Sequence, residues 1–387
     1  MKILHVVPTY FPAVRYGGPI YSVHGLAAGQ AALGHEVSVF TTNVDGPGVS
    51  DVRIGVPVAM DGVAVTYFPV GSPRRLYRSP AMRRALAIHA SEFDVLHLHS
   101  VFLWPTLAAA RAAKRARIPF VLSPRGMLVA DLIGARSSAI KTAWLRLFER
   151  RTIREASAIH FTAVREEQDF LALGLVAERS ILLPNGVEEP VAEAAPLSSE
   201  VQAIIAKPGY ALSLGRLNWK KNLVALIDAL AFAPDARLVI AGTDDENHST
   251  ALRSAIATAG LQSRVTLIDR NVVGADKDAL FAHAAIFVLP SLNENFGNTV
   301  LEAMIRGTPV VVSNGAGVAE VVREADCGLI VGPTPEALGE AIAKLLADPV
   351  SATTMGQLGQ KNARDLFGWQ SIAARMIAAY ERLSSSS

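Results

Sequence analysis

The chain has 387 residues, half of them apolar, with 37 Lys and Arg against 35 Asp and Glu and a single cysteine. Domains of roughly 100 to 200 residues are usual, so a chain of this length is expected to form two. One thiol excludes an intramolecular disulfide and fits a reducing, cytoplasmic compartment; no apolar run reaches the ~18 residues of a membrane span, and MKILHVVPTYFP is broken too early for a signal peptide.

Short β-branched runs alternate with longer helical patterns, the mark of βα units and mainly parallel sheets. In the first half strands are expected at Ile3–Val7, Val37–Thr41, Val95–Leu98, Phe120–Ser123, Ala158–Phe161 and Ile181–Leu183. The second half repeats the pattern at Tyr210–Leu214, Arg237–Ala241, Val265–Ile268, Ile286–Leu289, Val310–Ser313 and Leu329–Val331. Between the sets, EEPVAEAAPLSSE has no apolar period and reads as a linker. The expected layout is therefore a first domain over 1–187, a linker over 188–208 and a second domain over 209–368. A last helix over 369–387, with Trp369, Ile372, Met376, Ile377 and Tyr380 on one stripe, either crosses the hinge or closes the second domain. The fold class this predicts is α/β, two doubly wound Rossmann-like domains facing across a crevice, with chemistry in the loops that follow the strands.

Charge is uneven: before Pro190 there are 21 basic and 15 acidic residues, after it 16 and 20. A basic first half suits an anionic partner, such as a membrane surface or a lipid phosphate, and equally a solvated surface. The basic stretches Arg74–Arg84 and Arg136–Arg154 lie there; the second is either an amphipathic helix on anionic lipid or a core-facing helix with a basic edge. No nucleic-acid partner is expected.

The sharpest motif is PSLNENFGNTVLEAM. A strand ends at Leu289, Gly297 turns the backbone, and amides of Gly297, Asn298 and Thr299 open a helix whose positive end suits phosphate or sugar hydroxyls. Glu302, one turn on, can accept two hydrogen bonds from a vicinal diol, and Glu294 stands in the loop near a bound sugar. In LGRLNWKKN, the cations Arg216, Lys220 and Lys221 crowd a helix start that disfavours positive charge, which points to an anion held among them. The first loop carries Gly17 and Gly18 rather than G-x-G-x-x-G, which argues against a nicotinamide or flavin dinucleotide enzyme. Asp276 and Asp278 form a D-x-D string read as an N-cap and first-turn acid, and GTDDEN reads as a solvated acidic loop.

With Glu294 and Glu302 as an E-x7-E element, and Gly215, Arg216, Leu217 and Lys221 matching G-R-L-x3-K, nearly the whole chain resembles the retaining GT-B enzymes of glycosyltransferase family 4. The resemblance implies transfer of a hexose from a nucleoside diphosphate sugar to a saccharide or lipid-linked acceptor, with no cofactor and no metal. It implies that Arg216 and Lys221 clamp the diphosphate, and that Gly17 and Gly18 lie against it. The nucleotide would be held along Arg270, Asn271 and Val272 and by Asn295, Phe296, Gly297, Asn298, Thr299 and Glu302. His99, which alternation turns to the same side as His97, would lie near the transferred sugar, and Arg125 of LSPRGML on the acceptor side. Lys220 would be solvated. Thr162 and Glu166 read as a capping pair. The alternatives are a sugar-nucleotide epimerase on the same fold and a noncatalytic sugar-nucleotide-binding scaffold.

Overall fold

The computed structural model describes residues 1–130, 138–190, 195–245 and 247–384. It forms two compact units: unit 1 is Met1–Gly186 with the segment from Trp369 onward, and unit 2 is Val187–Gly368. Both are doubly wound α/β sheets, the class expected for each half.

In unit 1 the sheet runs Ser180–Leu182, Ala158–Phe161, Phe120–Ser123, Val95–His99, Lys2–Val6, Glu36–Thr42, Val63–Phe68 and Val58–Met60. All pairs are parallel except the last, where Val58–Met60 folds back on Val63–Phe68. These two strands were missing from the expected set. Their alternation is masked because Val63, Val65 and Tyr67 and their neighbours Thr66 and Phe68 are all buried. In the central strands alternation divides the faces. Leu4, Val6, Leu96, Leu98 and Leu122 enter the apolar core under the helices Pro80–His89 and Trp104–Ala116. His5, His97 and His99 face the other way, toward the helices Gly18–Ala32 and Trp369–Ser384.

The C-terminal helix Trp369–Ser384 thus belongs to unit 1, packed along Gly18–Ala32. Gly25 makes this contact possible, since a Cβ there would sit 2.1 Å from Cε2 of Trp369. The expected stripe is the buried one: Ile372, Met376, Ile377 and Tyr380 are all covered.

In unit 2 the order is Val265–Ile268, Leu238–Ala241, Tyr210–Leu214, Ala284–Leu289, Val310–Ser313 and Gly328–Val331, all parallel. Each of these strands overlaps an expected one. The expected linker is not featureless: Ser199–Ile205 is helical because Ser198 caps the Val201 amide and Val201 buries its side chain. Cys327 is buried and free, just before the edge strand Gly328–Val331. Among the described residues no helix is long and apolar enough to cross a membrane.

Candidate active site

In unit 2 the chain leaves Tyr210–Leu214 toward one sheet edge and returns through Ala284–Leu289 toward the other. The loops after these two neighbours diverge onto opposite faces and leave an opening at their carboxyl ends. Both sequence motifs fall there. Their loops are tied by the Leu292 amide donating to the Lys220 carbonyl at 2.8 Å, and Lys221 forms an ion pair with Glu294 across the gap. Arg216 is half exposed and only loosely held, 3.5 Å from Asp245. Lys220, expected to be solvated, is half-buried instead, its ammonium 5.7 Å from the Trp219 ring centroid.

Gly297 opens the helix Asn298–Ile305 at φ 107°, and a Cβ there would fall 2.8 Å from Cδ2 of Leu289 and 3.1 Å from Cγ1 of Val318. Only glycine fits that turn. The loop before it is braced by Gly317 and Val318 amides donating to the carbonyls of Glu294 and Phe296, at 2.9 and 2.8 Å. Phe296 is buried, while Asn295, Asn298 and Thr299 are half-buried around the helix start. Glu302 has Lys277 Nζ 3.3 Å from its Oε2. That contact is ionic but lacks hydrogen-bond geometry, so the buried Oε2 keeps an unused acceptor site.

The side chain of Arg270, in the loop expected along the nucleotide, is engaged within unit 2. Its guanidinium pairs with Glu200 and Asp276, both at 3.1 Å, and reaches Ser198, pinning the helix Ser199–Ile205 to Gly274–Ala282. Val272 beside it is buried and Asn271 exposed. The helix Gly274–Ala282 has Val273, not an aspartate, at its N-cap, while Asp276 is an acid of its first turn; Asp276 also accepts from the Ser198 amide, and Asp278 pairs with Arg306. The acidic loop is also in use, since Asp244 accepts from the Ser249 amide and hydroxyl and Asp245 faces Arg216.

Unit 1 has its switch point between Lys2–Val6 and Val95–His99. Gly17, at φ 72°, precedes the helix that begins at Gly18. His99 ends its strand fully buried, and the loops that follow it and its neighbour hold Ser100, Phe102 and Arg125 at φ 75°, 61° and 57°. Three non-glycine residues in the left-handed region at adjacent strand ends is costly backbone geometry, of the kind concentrated at functional sites. The buried Glu149 supports it by accepting from the Phe102 amide and Trp144 Nε1, at 2.8 and 2.9 Å. Burial pushes its carboxyl pKa up. Thr162 and Glu166, expected as a capping pair, do not cap the helix Val164–Ala172, whose N-cap is Ala163 without a side-chain cap; Glu166 instead accepts from the Gly126 amide at 2.6 Å and from the Thr162 amide and hydroxyl at 2.8 and 2.9 Å, which holds the Arg125 loop.

The Arg125 guanidinium donates to Oδ1 of Asn185 at 2.9 Å and to Nδ1 of His99 at 3.3 Å, and among the described residues it forms no ion pair. Burial lowers its pKa to about 10, against the raising effect of Glu166. His5, His97, His99 and His160 lie together, fully buried, and burial holds all four imidazoles below their ordinary pKa, to about 4 for His5 and about 3 for His160. His5, His97 and His99 present nitrogens within 4.8 Å of one another, yet every one already has a protein partner.

The sequence reading gave no site role to His5, His160, Gln30, Ser123 or Tyr380. The available signal was a histidine flanked by apolar residues in each of two strands, KILHV and AIHF. The basic stretch 136–154 is described only from Ser138 onward; there Trp144 and Leu145 pack into the core, and Ile140 and Leu147 are exposed.

Residues 196–362 match the family described as Glycosyl transferases group 1, and residues 17–186 the Glycosyl transferase 4-like domain. A phosphatidyl-myo-inositol mannosyltransferase of Mycobacterium leprae is 28% identical over 406 residues, spanning 100% of this chain and 98% of the relative. Among solved structures, a sucrose-phosphate synthase from Thermosynechococcus elongatus aligns with a TM-score of 0.77 at 23% identity over 100% of both chains. Anabaena HepE in complex with UDP and glucose aligns at 0.75 and 21%, over 99% of this chain and 100% of that one.

Proposed function

We propose, from the premise that this chain belongs to the glycosyl transferases group 1 and is a GT-B glycosyltransferase, that it moves a hexose from a UDP or GDP sugar to a hydroxyl with retention at the anomeric carbon. The observation that carries the reading is the Lys221–Glu294 ion pair at the switch point of unit 2, beside the helix start at Gly297 and the unused Glu302 oxygen. An ion pair about a fifth exposed can be exchanged for a ligand: the diphosphate takes Lys221 and Arg216, and the sugar hydroxyls take Glu294. The ribose diol takes Glu302, and the helix start faces the phosphate with Asn298 and Thr299. HepE, solved with UDP, supports a uridine base.

In the transfer step the acceptor oxygen bonds the anomeric carbon as the bond from that carbon to the phosphate oxygen breaks. The bonding pair leaves with the diphosphate, and a phosphate oxygen receives the acceptor proton. Developing charge on the leaving group is met by Arg216, Lys221 and the helix start, so the step needs no metal. His99 and Arg125 of unit 1 serve the sugar and acceptor side, with the Gly17–Gly18 turn against the donor. The acceptor is a saccharide or lipid-linked hydroxyl of polysaccharide, lipopolysaccharide or glycolipid synthesis, reached from the cytoplasmic side. The basic first half supports contact with an anionic membrane surface.

The test is thermal stabilisation by a panel of UDP and GDP sugars, with and without a chelator, followed by product analysis. One nucleotide series should raise the melting temperature in wild type and not in Lys221→Ala or Glu302→Ala, regardless of chelator. A protein stabilised by none of them overturns the reading.

A further inference from the structure

The buried polar groups of unit 1 form one chain of hydrogen bonds whose direction is set from both ends. At one end Arg125 can only donate, so Nδ1 of His99 must accept, at 3.3 Å. A neutral His99 then carries its proton on Nε2 and donates to Nδ1 of His5 at 2.9 Å. His5 in turn donates from Nε2 to Oε1 of Gln30 at 2.7 Å. At the other end the Leu183 carbonyl can only accept, so His160 donates to it from Nε2 at 2.8 Å and accepts on Nδ1 from the Ser123 hydroxyl at 2.8 Å. Ser123 accepts from Nε2 of His97 at 2.7 Å, and Nδ1 of His97 accepts from the Tyr380 hydroxyl at 2.6 Å. The two runs meet where Gln30 Nε2 points at the Tyr380 oxygen, at a longer 3.4 Å. All four imidazoles come out as the neutral Nε2–H tautomer. Protonating His99 would set its Nδ1–H against the Arg125 guanidinium, and protonating His5 would set its Nδ1–H against the proton on His99 Nε2; protonating His97 or His160 would force the Tyr380 or Ser123 hydroxyl to turn away from its acceptor.

We propose that His5 and Gln30 are positioning residues for the transfer: they impose the Nε2–H tautomer on His99, whose Nδ1 lone pair then orients the Arg125 guanidinium. Neither touches the reacting atoms, since both are completely buried. Gln30 acts on His5, His5 on His99, and His99 with Asn185 on Arg125. The other tautomer of His99 would aim an N–H at the guanidinium and push it off this pose. The inference rests on the assignment of His99 and Arg125 to the transferase site.

Gln30→Glu tests it with almost no change of shape. A carboxylate there still accepts from His5 Nε2, but it favours the imidazolium, whose Nδ1–H opposes the proton on His99. The groups facing this point are His5, His97, His99 and His160 from the sheet, Tyr380 from the C-terminal helix, and Arg125 with Glu166 beside it. The expected result is a kcat at least 10-fold lower, a KM for the sugar nucleotide within about 2-fold of wild type, and an acid limb of the kcat profile moved up by a pH unit or more. Wild-type kcat and acid limb in Gln30→Glu, or a loss equal at every pH that follows the fall in melting temperature, overturns the proposal.

Long-range proton–nitrogen spectra of the imidazoles, assigned with single His→Gln variants, read the tautomers without substrate. Four neutral Nε2–H rings at pH 6 are expected. An Nδ1–H or protonated ring at His5 or His99, in a protein that does transfer sugar, overturns the lock. Four Nε2–H rings in a protein that transfers no sugar from any UDP or GDP donor overturn the transferase reading instead.

Discussion

The two units share a sheet architecture and satisfy their polar groups in opposite ways. Among the described residues, every buried polar side chain of unit 2 is a serine or threonine, whereas unit 1 buries four histidines, two glutamates, a glutamine and an asparagine. The charges of unit 2 at its strand ends are paired at the rim: Lys221 with Glu294, Lys277 with Glu302 and Arg216 with Asp245, all partly exposed. Such pairs gain little from each other, because water competes for both members, and a multiply charged ligand can replace either partner. The linked histidines of unit 1, with Gln30, Ser123 and Tyr380, have one arrangement of donors and acceptors, which favours a fixed geometry over exchange. Exchangeable rim ion pairs and a locked buried network are thus divided between two copies of one architecture.

Acid should separate the units most strongly. The four histidines have folded pKa values below the unfolded value of about 6.5, so between those limits the unfolded chain binds more protons than the folded one. Their contribution is complete above pH 6.5 and is lost as the pH falls toward about 4 for His5 and about 3 for His160. The slope is up to ~1.4 kcal/mol per pH unit for each ring. Hydrogen exchange followed from pH 7 to 5 should show amides of unit 1 losing protection before those of unit 2; equal loss in both would remove the contrast.

Lys221→Ala comes next. Removing a preorganised cation from the leaving group should lower kcat by about 100- to 1,000-fold, with unit 2 still folded by circular dichroism. A variant whose KM alone rose would move Lys221 from charge stabilisation to simple binding.

Gly25→Ala sharpens the comparison through packing, since the new methyl would meet the Trp369 ring. Overpacking of this sort costs about 1–3 kcal/mol, and in chemical denaturation it should shift the unfolding of unit 1 and leave that of unit 2. The smallest effect belongs to Arg270→Ala. If the ion pairs with Glu200 and Asp276 are its whole role, stability falls by about 1 kcal/mol or less and the donor KM stays put. A several-fold rise in donor KM would return Arg270 to the nucleotide site.

Much of this was legible before the structure. The six strands expected in the second half and the six in the first all overlap observed ones, because an apolar run bounded by turn residues marks a buried parallel strand. The missed pair, Val58–Met60 and Val63–Phe68, lies at a sheet edge where one strand is short and the other is buried on both faces. The loops after Leu214 and Leu289 were marked by glycine, cations and glutamates at spacings that local backbone geometry explains. Lys277 and Asp245 gave no such signal, since their partners Glu302 and Arg216 are set by how segments far apart in the chain meet.

By itself the sequence determined the two doubly wound units and the charged, glycine-turned loops at the ends of their strands, since these follow from periodicity, turn chemistry and spacing along one chain. Only the tertiary structure decided the pairing of His5 with His97 and His99, the return of Tyr380 from the far end of the chain and the ion pairs of Arg270. Those outcomes depend on strand register and on contacts between residues far apart in the chain. Residue type states what a side chain can donate or accept, but only packing brings its partner within 3 Å.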